Sequence, residues 1–227
     1  MQKNFIVAID GTAGSGKSTT ARGVAKTLEF FYLNTGAMYR AMTYKIIKEK
    51  IDIKNIKALR QLLNQTTIEF KLGRDSKSFV LLDNCDVTKH IRTRSVDAMV
   101  SLVSAIPAVR EKLVKEQRRM SQNRNIVVEG RDIGSVVFPN ADLKFFLDCS
   151  LEKRASRRKK ELDEKGDKIT SETIESNLSE RDQIDSTRDI SPLKRVPDAI
   201  YLDTSDLTIE QEIKFVVDMI MKKLGSK

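Results

Sequence analysis

The chain has 227 residues, enough for one α/β domain with a substantial core and a small insertion, and its 40% hydrophobic and 32% charged content excludes a disordered chain. No apolar run is long enough to span a bilayer, so no membrane partner is expected. The net charge of +9 fits nucleic acid or anionic small substrates, but only 6% of residues are aromatic and none interleave a basic stripe, which favours small substrates over polynucleotide.

Phe5 to Ile9 (FIVAI) form an apolar, β-rich run short enough for one buried strand. Gly11-Thr12-Ala13-Gly14-Ser15-Gly16-Lys17-Ser18 follows and fits the phosphate-binding pattern G-x-x-x-x-G-K-[ST] at every fixed position. Ala21 to Leu28 have helical character, so strand, glycine loop and helix come in the order the pattern requires. Glycines let backbone N–H groups curl around phosphate oxygens, and the helix that begins near Lys17 points its unpaired N–H groups at the same place. Lys17 is expected to reach the β- and γ-phosphates of a nucleoside triphosphate, and the Ser18 hydroxyl to hold Mg²⁺.

Phe30 to Leu33 read as a second strand, and Ala37 to Lys50 as an amphipathic helix with Met38, Met42 and Ile46 on its apolar side. Arg40, just past the strand end, is either a solvated surface arginine or a phosphate ligand. Asn55 to Leu63 make a further helix. Thr67 to Leu72 and Phe79 to Asp83 are strand-like, separated by Gly73-Arg74-Asp75-Ser76 with turn chemistry, and a short β segment continues to Val87. Residues 66–96 therefore read as a small antiparallel insertion in a core built from 1–65 and 97–227. His90, the single histidine, lies at its far edge. With Cys85 and Cys149 outside any metal-spaced pattern, neither a zinc site nor a histidine triad is expected. Two isolated thiols suit a reducing compartment, the cytoplasm.

Ser95 to Ser104 read as a helix, and Pro107 opens another that carries Arg110 and runs through Arg119. Asn125 to Glu129 (NIVVE) form a third core strand that ends in a carboxylate, followed by Gly130-Arg131-Asp132. Such an acid is either the second acidic element of a triphosphate site, orienting Mg²⁺ directly or through water, or a plain turn carboxylate. Leu143 to Leu147 give a fourth strand. Arg154, Arg157 and Arg158 then share one helix face, and the polar stretch from Leu162 to Thr170 contains Gly166. Residues 151–170 read either as a lid closing over phosphates or as a solvated basic face. Ser171 to Asp185 form a polar helix. Arg181, Asp185 and Arg188 lie on one side of it if it continues that far, as a surface salt-bridge ladder or as a reading head for a polar ligand. Ala199 to Leu202 make a fifth strand, and Leu207 to Leu224 a closing helix with Ser205 or Asp206 as candidate N-cap.

This layout resembles the nucleoside monophosphate kinases among the P-loop kinases. GTAGSGKST, TGAMYRA, IPAVREKL, VVEGRDIGSVVFPNADLKFFLD, ERDQIDSTRDISPL and AIYLDTSDLTIEQ together are similar to the bacterial cytidylate kinases, and these blocks run from residue 5 to 212. The GRD-x-G-x-VVFP-x-A block and the RDxxDxxR row are specific to that family; the phosphate loop is not. The resemblance implies a three-layer α/β fold with a five-stranded parallel sheet, a monophosphate-binding β insertion at 66–96 and a helical lid at 151–170. It implies in-line transfer from ATP to CMP or dCMP with Mg²⁺, in pyrimidine nucleotide metabolism, by a cytoplasmic monomer with no nucleic-acid or membrane partner.

It also implies roles for single residues. Gly11, Thr12, Ala13, Gly14, Ser15, Gly16, Lys17, Ser18 and Thr19 would bind ATP with Arg154, Arg157 and Arg158. Lys17, Arg131 and Arg157 would balance charge on the transferring group, and Ser18 and Glu129 would serve the metal. Arg40 and Arg131 would hold the acceptor phosphate, with Glu129 beside them. Thr35, Arg110, Asp132 and Arg188 would read cytosine, and Ser101, Arg181 and Asp185 the ribose. Glu129 stands where the family often has Asp, and Thr35 where Ser is common; neither change removes a functional group. A P-loop kinase of another small acceptor, such as shikimate, is the alternative enzyme. A regulatory GTPase or nucleic-acid-binding ATPase is the alternative class, although no N-K-x-D guanine reader is present.

Overall fold

The computed structural model describes residues 4–72, 78–164, 166 and 168–225, so the turn read at Gly73 to Ser76 lies outside the described residues. In chain order the elements are β1 (Ile6–Gly11), α1 (Lys17–Leu28), β2 (Phe31–Asn34), α2 (Thr35–Lys48), α3 (Ile56–Asn64), β3 (Ile68–Leu72), β4 (Ser78–Leu82), β5 (Cys85–Asp86), α4 (Arg94–Ala105), α5 (Pro107–Met120), β6 (Ile126–Gly130), β7 (Leu143–Asp148), α6 (Leu151–Asp163), α7 (Ser171–Thr187), β8 (Ile200–Asp203) and α8 (Ile209–Gly225). A 3₁₀ turn spans His90–Arg92 and a π turn Ile133–Val137. The chain divides into two compact units, Met1–Leu33 with Met120–Lys227, and Asn34–Arg119.

The first unit is built on a five-stranded parallel sheet of order β2-β6-β1-β7-β8. Its central strands are buried on both faces, so they read as unbroken apolar runs, as parallel strands between helices do. Val7, Ile9, Val127, Phe145, Leu147 and Leu202 pack with Ala21, Val24 and Ala25 of α1 and Val216 and Ile220 of α8. Gly23 permits that packing: a Cβ there would lie 2.2 Å from Ile213 Cδ1. From β1 the chain passes to β2 on one side of the sheet, while β7 and β8 lie on the other. The carboxyl ends of β1, β6 and β7 thus flank a topological switch point, where open α/β sheets bind ligands.

The second unit packs α2 against α4 and carries the antiparallel sheet β3-β4-β5, the expected meander. Most helices start on a side-chain cap: Asn34, Asn55, Thr93, Ser150 and Thr170 each accept an N–H of the following turn.

One local expectation is corrected, and one that was conditional is settled. The closing helix begins at Ile209, and its cap is Thr208 rather than Ser205 or Asp206: Gln211 N–H donates to the Thr208 hydroxyl at 3.3 Å, and Thr208 N–H donates to Gln211 Oε1 at 2.8 Å. This reciprocal capping box satisfies two end groups at once, which a single hydroxyl cannot do. Ser205 instead accepts the N–H of Ser150. The polar helix stops at Thr187, so Arg188 is not on it. Arg188 takes extended backbone at the C-cap, and Leu193 N–H folds back onto the Asp185 carbonyl at 2.7 Å. Among the described residues no helix is long and apolar enough to cross a membrane.

Candidate active site

The glycine loop leaves β1 at Gly11, where the backbone runs against β7. A Cβ at Gly11 would sit 1.9 Å from the Leu147 carbonyl oxygen, so only glycine fits. Gly16, at φ 88, turns the chain into α1 and offers no side chain to cap it. The first N–H groups of α1 are therefore not capped by a side chain, as an anion-binding helix end requires. Thr204, past β8, donates its hydroxyl to the Ser15 carbonyl at 3.0 Å and ties the loop to the sheet.

Lys17 is 4% exposed and folds back to donate to the Thr12 carbonyl and, at 3.3 Å, to Ser15 Oγ. Burial, followed by the charge of Arg131, holds its ammonium well below the ordinary lysine value. Ser18 donates its hydroxyl to Glu129 Oε2 at 2.8 Å, and Tyr32 donates to Glu129 Oε1. The sheet register explains the meeting: β6 runs parallel beside β1, pairing Glu129 with Ile9 and Gly130 with Asp10. The strand-end acid thus faces the phosphate-loop serine, and the two expected metal residues stand in direct contact.

Arg131 and Asp132 follow Glu129 into the π turn, where the Asp132 carbonyl accepts from Val136 and Val137. π turns occur often at functional sites. Arg131 Nε donates to Asp185 Oδ2 at 2.8 Å. Burial opposes the charge on Arg131, but Asp185, with Asp182 and Glu129, outweighs it and raises the guanidinium above its ordinary value. Burial likewise raises the Asp185 carboxyl, and Arg131, Arg181 and Arg188 together bring it below the usual range. Arg188 lies 3.6 Å from Asp132 Oδ1 and 3.9 Å from Asp185 Oδ1. Arg131, Asp132, Asp185 and Arg188 therefore form one set of alternating charge in which both carboxylates are buried, although Arg188 has left the helix.

Arg154, Arg157 and Arg158 of α6 share a helix face but not an environment. Arg154 is buried and donates to the carbonyls of Cys149 and Ala13, both at 3.0 Å, and to Asp182. Arg157 donates to the Thr204 carbonyl at 2.6 Å and lies 3.9 Å from Glu212. Arg158 pairs with Glu161 at 2.9 Å, a surface contact.

In the second unit, Thr35 is the first residue of α2 and is buried. Arg40 donates to the Ile91 carbonyl at 3.2 Å and pairs with Asp97 of α4. Arg110 donates to the Ser104 carbonyl at 3.1 Å and lies over the Tyr39 ring at 5.5 Å, while Ser101 is buried on α4.

Three carboxylates in the first unit were not anticipated. Asp10 accepts the N–H groups of Ile133 and Gly134 at 2.8 and 2.7 Å, and burial raises its pKa to about 6. Asp182 accepts the N–H of Ala13 at 3.0 Å. Glu212 of α8, 1% exposed and raised by burial, accepts from the Thr20 hydroxyl beneath the loop. A sequence signal existed for Asp10, an acid inside an apolar strand directly before the loop, and for Asp182, beside Arg181. None marked Glu212.

The cytidylate kinase family matches residues 7–224. A cytidylate kinase of Geobacillus sp. (strain WCH70) is 42% identical over 225 residues, covering 99% of this chain and 100% of that protein. A cytidylate kinase of Streptococcus pneumoniae (strain 70585) is 45% identical over 212 residues, covering 93% of this chain and 95% of that protein. A bifunctional pantoate ligase/cytidylate kinase of Prochlorococcus marinus (strain CCMP1986 / NIES-2087 / MED4) is 46% identical over 220 residues, covering 96% of this chain and 43% of that longer protein.

Proposed function

The chain belongs to the cytidylate kinase family, and on that premise we propose that it transfers the γ-phosphoryl group of ATP to CMP and dCMP, giving ADP with CDP or dCDP. The observation that carries the reading is the segment Glu129-Gly130-Arg131-Asp132, which reaches Ser18 of the phosphate loop through Glu129 and Asp185 through Arg131. A donor-side group and an acceptor-side group thus leave the same strand end within three residues.

Residues Gly11 to Thr19 hold the ATP phosphates, with Arg157 and Arg158 as further donor contacts and Arg154 seating the loop. Ser18 and Glu129 offer hydroxyl and carboxylate oxygens 2.8 Å apart, the hard donors Mg²⁺ takes alongside phosphates and water, and these two would hold it. When bound it supplies positive charge across the phosphate oxygens. Lys17 turns from the Thr12 carbonyl toward the phosphates, whose negative charge restores its proton affinity. An oxygen of the CMP phosphate attacks the γ-phosphorus as its bond to the β–γ bridging oxygen breaks, and ADP leaves with that electron pair. No general base is needed, because the attacking oxygen is already anionic. Lys17, Arg131 and Arg157 balance the charge.

Arg131 and Arg40 are assigned to the acceptor phosphate. Asp132 is assigned to accept from the cytosine N4 amine, Arg110 and Arg188 to donate to O2 and N3, and Thr35 to the same base. Ser101, Arg181 and Asp185 hold the ribose. Residues 66–96 are assigned to the monophosphate-binding insertion and 151–170 to the lid. The reading includes a cytoplasmic monomer without nucleic-acid partner, consistent with Cys85 and Cys149 both being free thiols.

The test is ADP release from ATP·Mg²⁺ against CMP, dCMP, UMP, AMP, GMP and shikimate. Turnover is expected with CMP and dCMP. Asp132→Ala should lower the CMP-over-UMP preference by about tenfold or more, the value of one good base contact. Turnover with shikimate and none with CMP would overturn the acceptor assignment, and an unchanged ratio would remove Asp132 from base reading.

A further inference from the structure

Asp182 has no part in the reaction as described, yet it sits between residues that do. Its two carboxylate oxygens have separate donors: Oδ1 accepts the Ala13 N–H at 3.0 Å, and Oδ2 accepts from Arg154 Nη1. Arg154 Nη1 also donates to the Ala13 carbonyl at 3.0 Å, so this pair engages both backbone polar groups of Ala13. The next loop residue rests on the same arginine: a Cβ at Gly14 would lie 3.3 Å from Arg154 Cβ. Three segments, the phosphate loop, the start of α6 and the middle of α7, close into one ionic triangle.

The same helical turn of α7 also carries the acceptor-side charges. Arg181 precedes Asp182, and Asp185, three residues on, holds Arg131 at 2.8 Å. Apart from this triangle, α6 and α7 pack on a small apolar cluster of their own, Ala155, Leu162 and Ile174, separate from the sheet core. The hairpin meets the loop at Ala13 through polar contacts, α6 by Arg154 and α7 by the Asp182 carboxylate.

We propose that Asp182 is a positioning residue that couples the donor and acceptor sites, transmitting the order of the phosphate loop to the acceptor-reading turn of α7. The inference rests on the kinase reading above. Phosphates in the loop hold the Ala13 N–H where Asp182 takes it, which seats the Arg181–Asp185 turn and leaves less ordering for the acceptor to impose. Linkage makes the effect reciprocal: each substrate tightens the other by the same factor.

The test is calorimetric binding of CMP, with and without a saturating non-hydrolysable ATP analogue and Mg²⁺, to the unmodified protein, Asp182→Ala and Asp182→Asn. In the unmodified protein the analogue should tighten CMP by about fivefold or more. In Asp182→Ala that ratio should fall to within about twofold of unity, while CMP affinity without the analogue changes less than about threefold. Asp182→Asn keeps an oxygen for the Ala13 N–H but no charge for Arg154, so its ratio should fall between the two; this near-isosteric variant carries the test if the alanine variant does not fold. An undiminished ratio in a folded variant, or no ratio in the unmodified protein, would overturn the coupling. Failure of the unmodified protein to bind CMP at all would instead overturn the acceptor assignment beneath it.

Discussion

Asp10 lies at the carboxyl end of β1 with 5% exposure, its oxygens holding the N–H groups that open the turn after Arg131 and Asp132. Burial disfavours its charge more than the two amides and Lys17 favour it, and the nearby Asp132 adds to the penalty, so its pKa rises from 3.8 to about 6. The sign of the linkage follows. Between those values the folded chain binds the proton more tightly than the unfolded chain, so Asp10 lends stability in acid that is lost as pH rises through about 6. The full effect is about 3 kcal/mol at neutral pH, a cost the fold carries to keep an ionised acceptor for two amides. Urea unfolding of the unmodified protein and Asp10→Asn should therefore diverge: between about pH 5 and pH 7.5 the unmodified protein should lose about 1–2 kcal/mol relative to the variant. A pH-independent difference would show that Asp10 does not titrate in this window. Unfolding without substrate is the right readout, because a phosphate monoester such as CMP itself ionises near pH 6 and would confuse a rate profile.

The helical hairpin α6–α7 is held by few apolar groups. Ala155, Leu162 and Ile174, with Ile169 and Leu178 against them, form its whole apolar cluster among the described residues, whereas β1, β6 and β7 share the large sheet core. Elements with few buried contacts open at low free energy, so the hairpin should open before the sheet does. Truncating Ile174 to Ala should cost about 2 kcal/mol or more. Amide exchange in α6 and α7 should then accelerate by roughly thirtyfold, with exchange in β1 and β6 unchanged. Equal acceleration in both would mean that hairpin and sheet open as one cooperative unit. The hairpin also shows how far sequence reading reaches. Spacing placed Arg154, Arg157 and Arg158 on one face correctly, because helix geometry is local. It did not separate the buried Arg154, tied to the Ala13 and Cys149 carbonyls, from the half-exposed Arg158, because depth depends on what packs above the helix. The central strands β1, β6 and β7 were legible for the opposite reason: burial on both faces writes itself directly into unbroken apolar runs. Glu212 was illegible. Its partner, the Thr20 hydroxyl, is 192 residues away, and only the packing of α8 against α1 brings them together.

Across the whole molecule, a net charge of +9 attracts every polyanion, so the sum alone does not separate a nucleotide kinase from a nucleic-acid-dependent ATPase. Where the positive charge ends up makes the two testable against each other. Arg131 and Arg188 are held against Asp132 and Asp185, and Arg154 against Asp182, all with side chains less than one-fifth exposed. Charges placed this way are pre-ordered for one small anion and present little surface to a phosphate backbone, whose binding needs many exposed contacts at once. The consequence is a mild salt dependence. Raising monovalent salt from about 20 to about 200 mM should lower kcat/KM for CMP by a few fold through screened encounter, with kcat held within about twofold. Added single-stranded or duplex DNA or RNA should leave turnover unchanged. A protein that neutralises six to ten backbone phosphates loses about 10³–10⁵ in affinity over a similar salt range. A loss of that size, or turnover that requires polynucleotide, would mean that the exposed lysines, rather than the buried arginines, define the physiological partner.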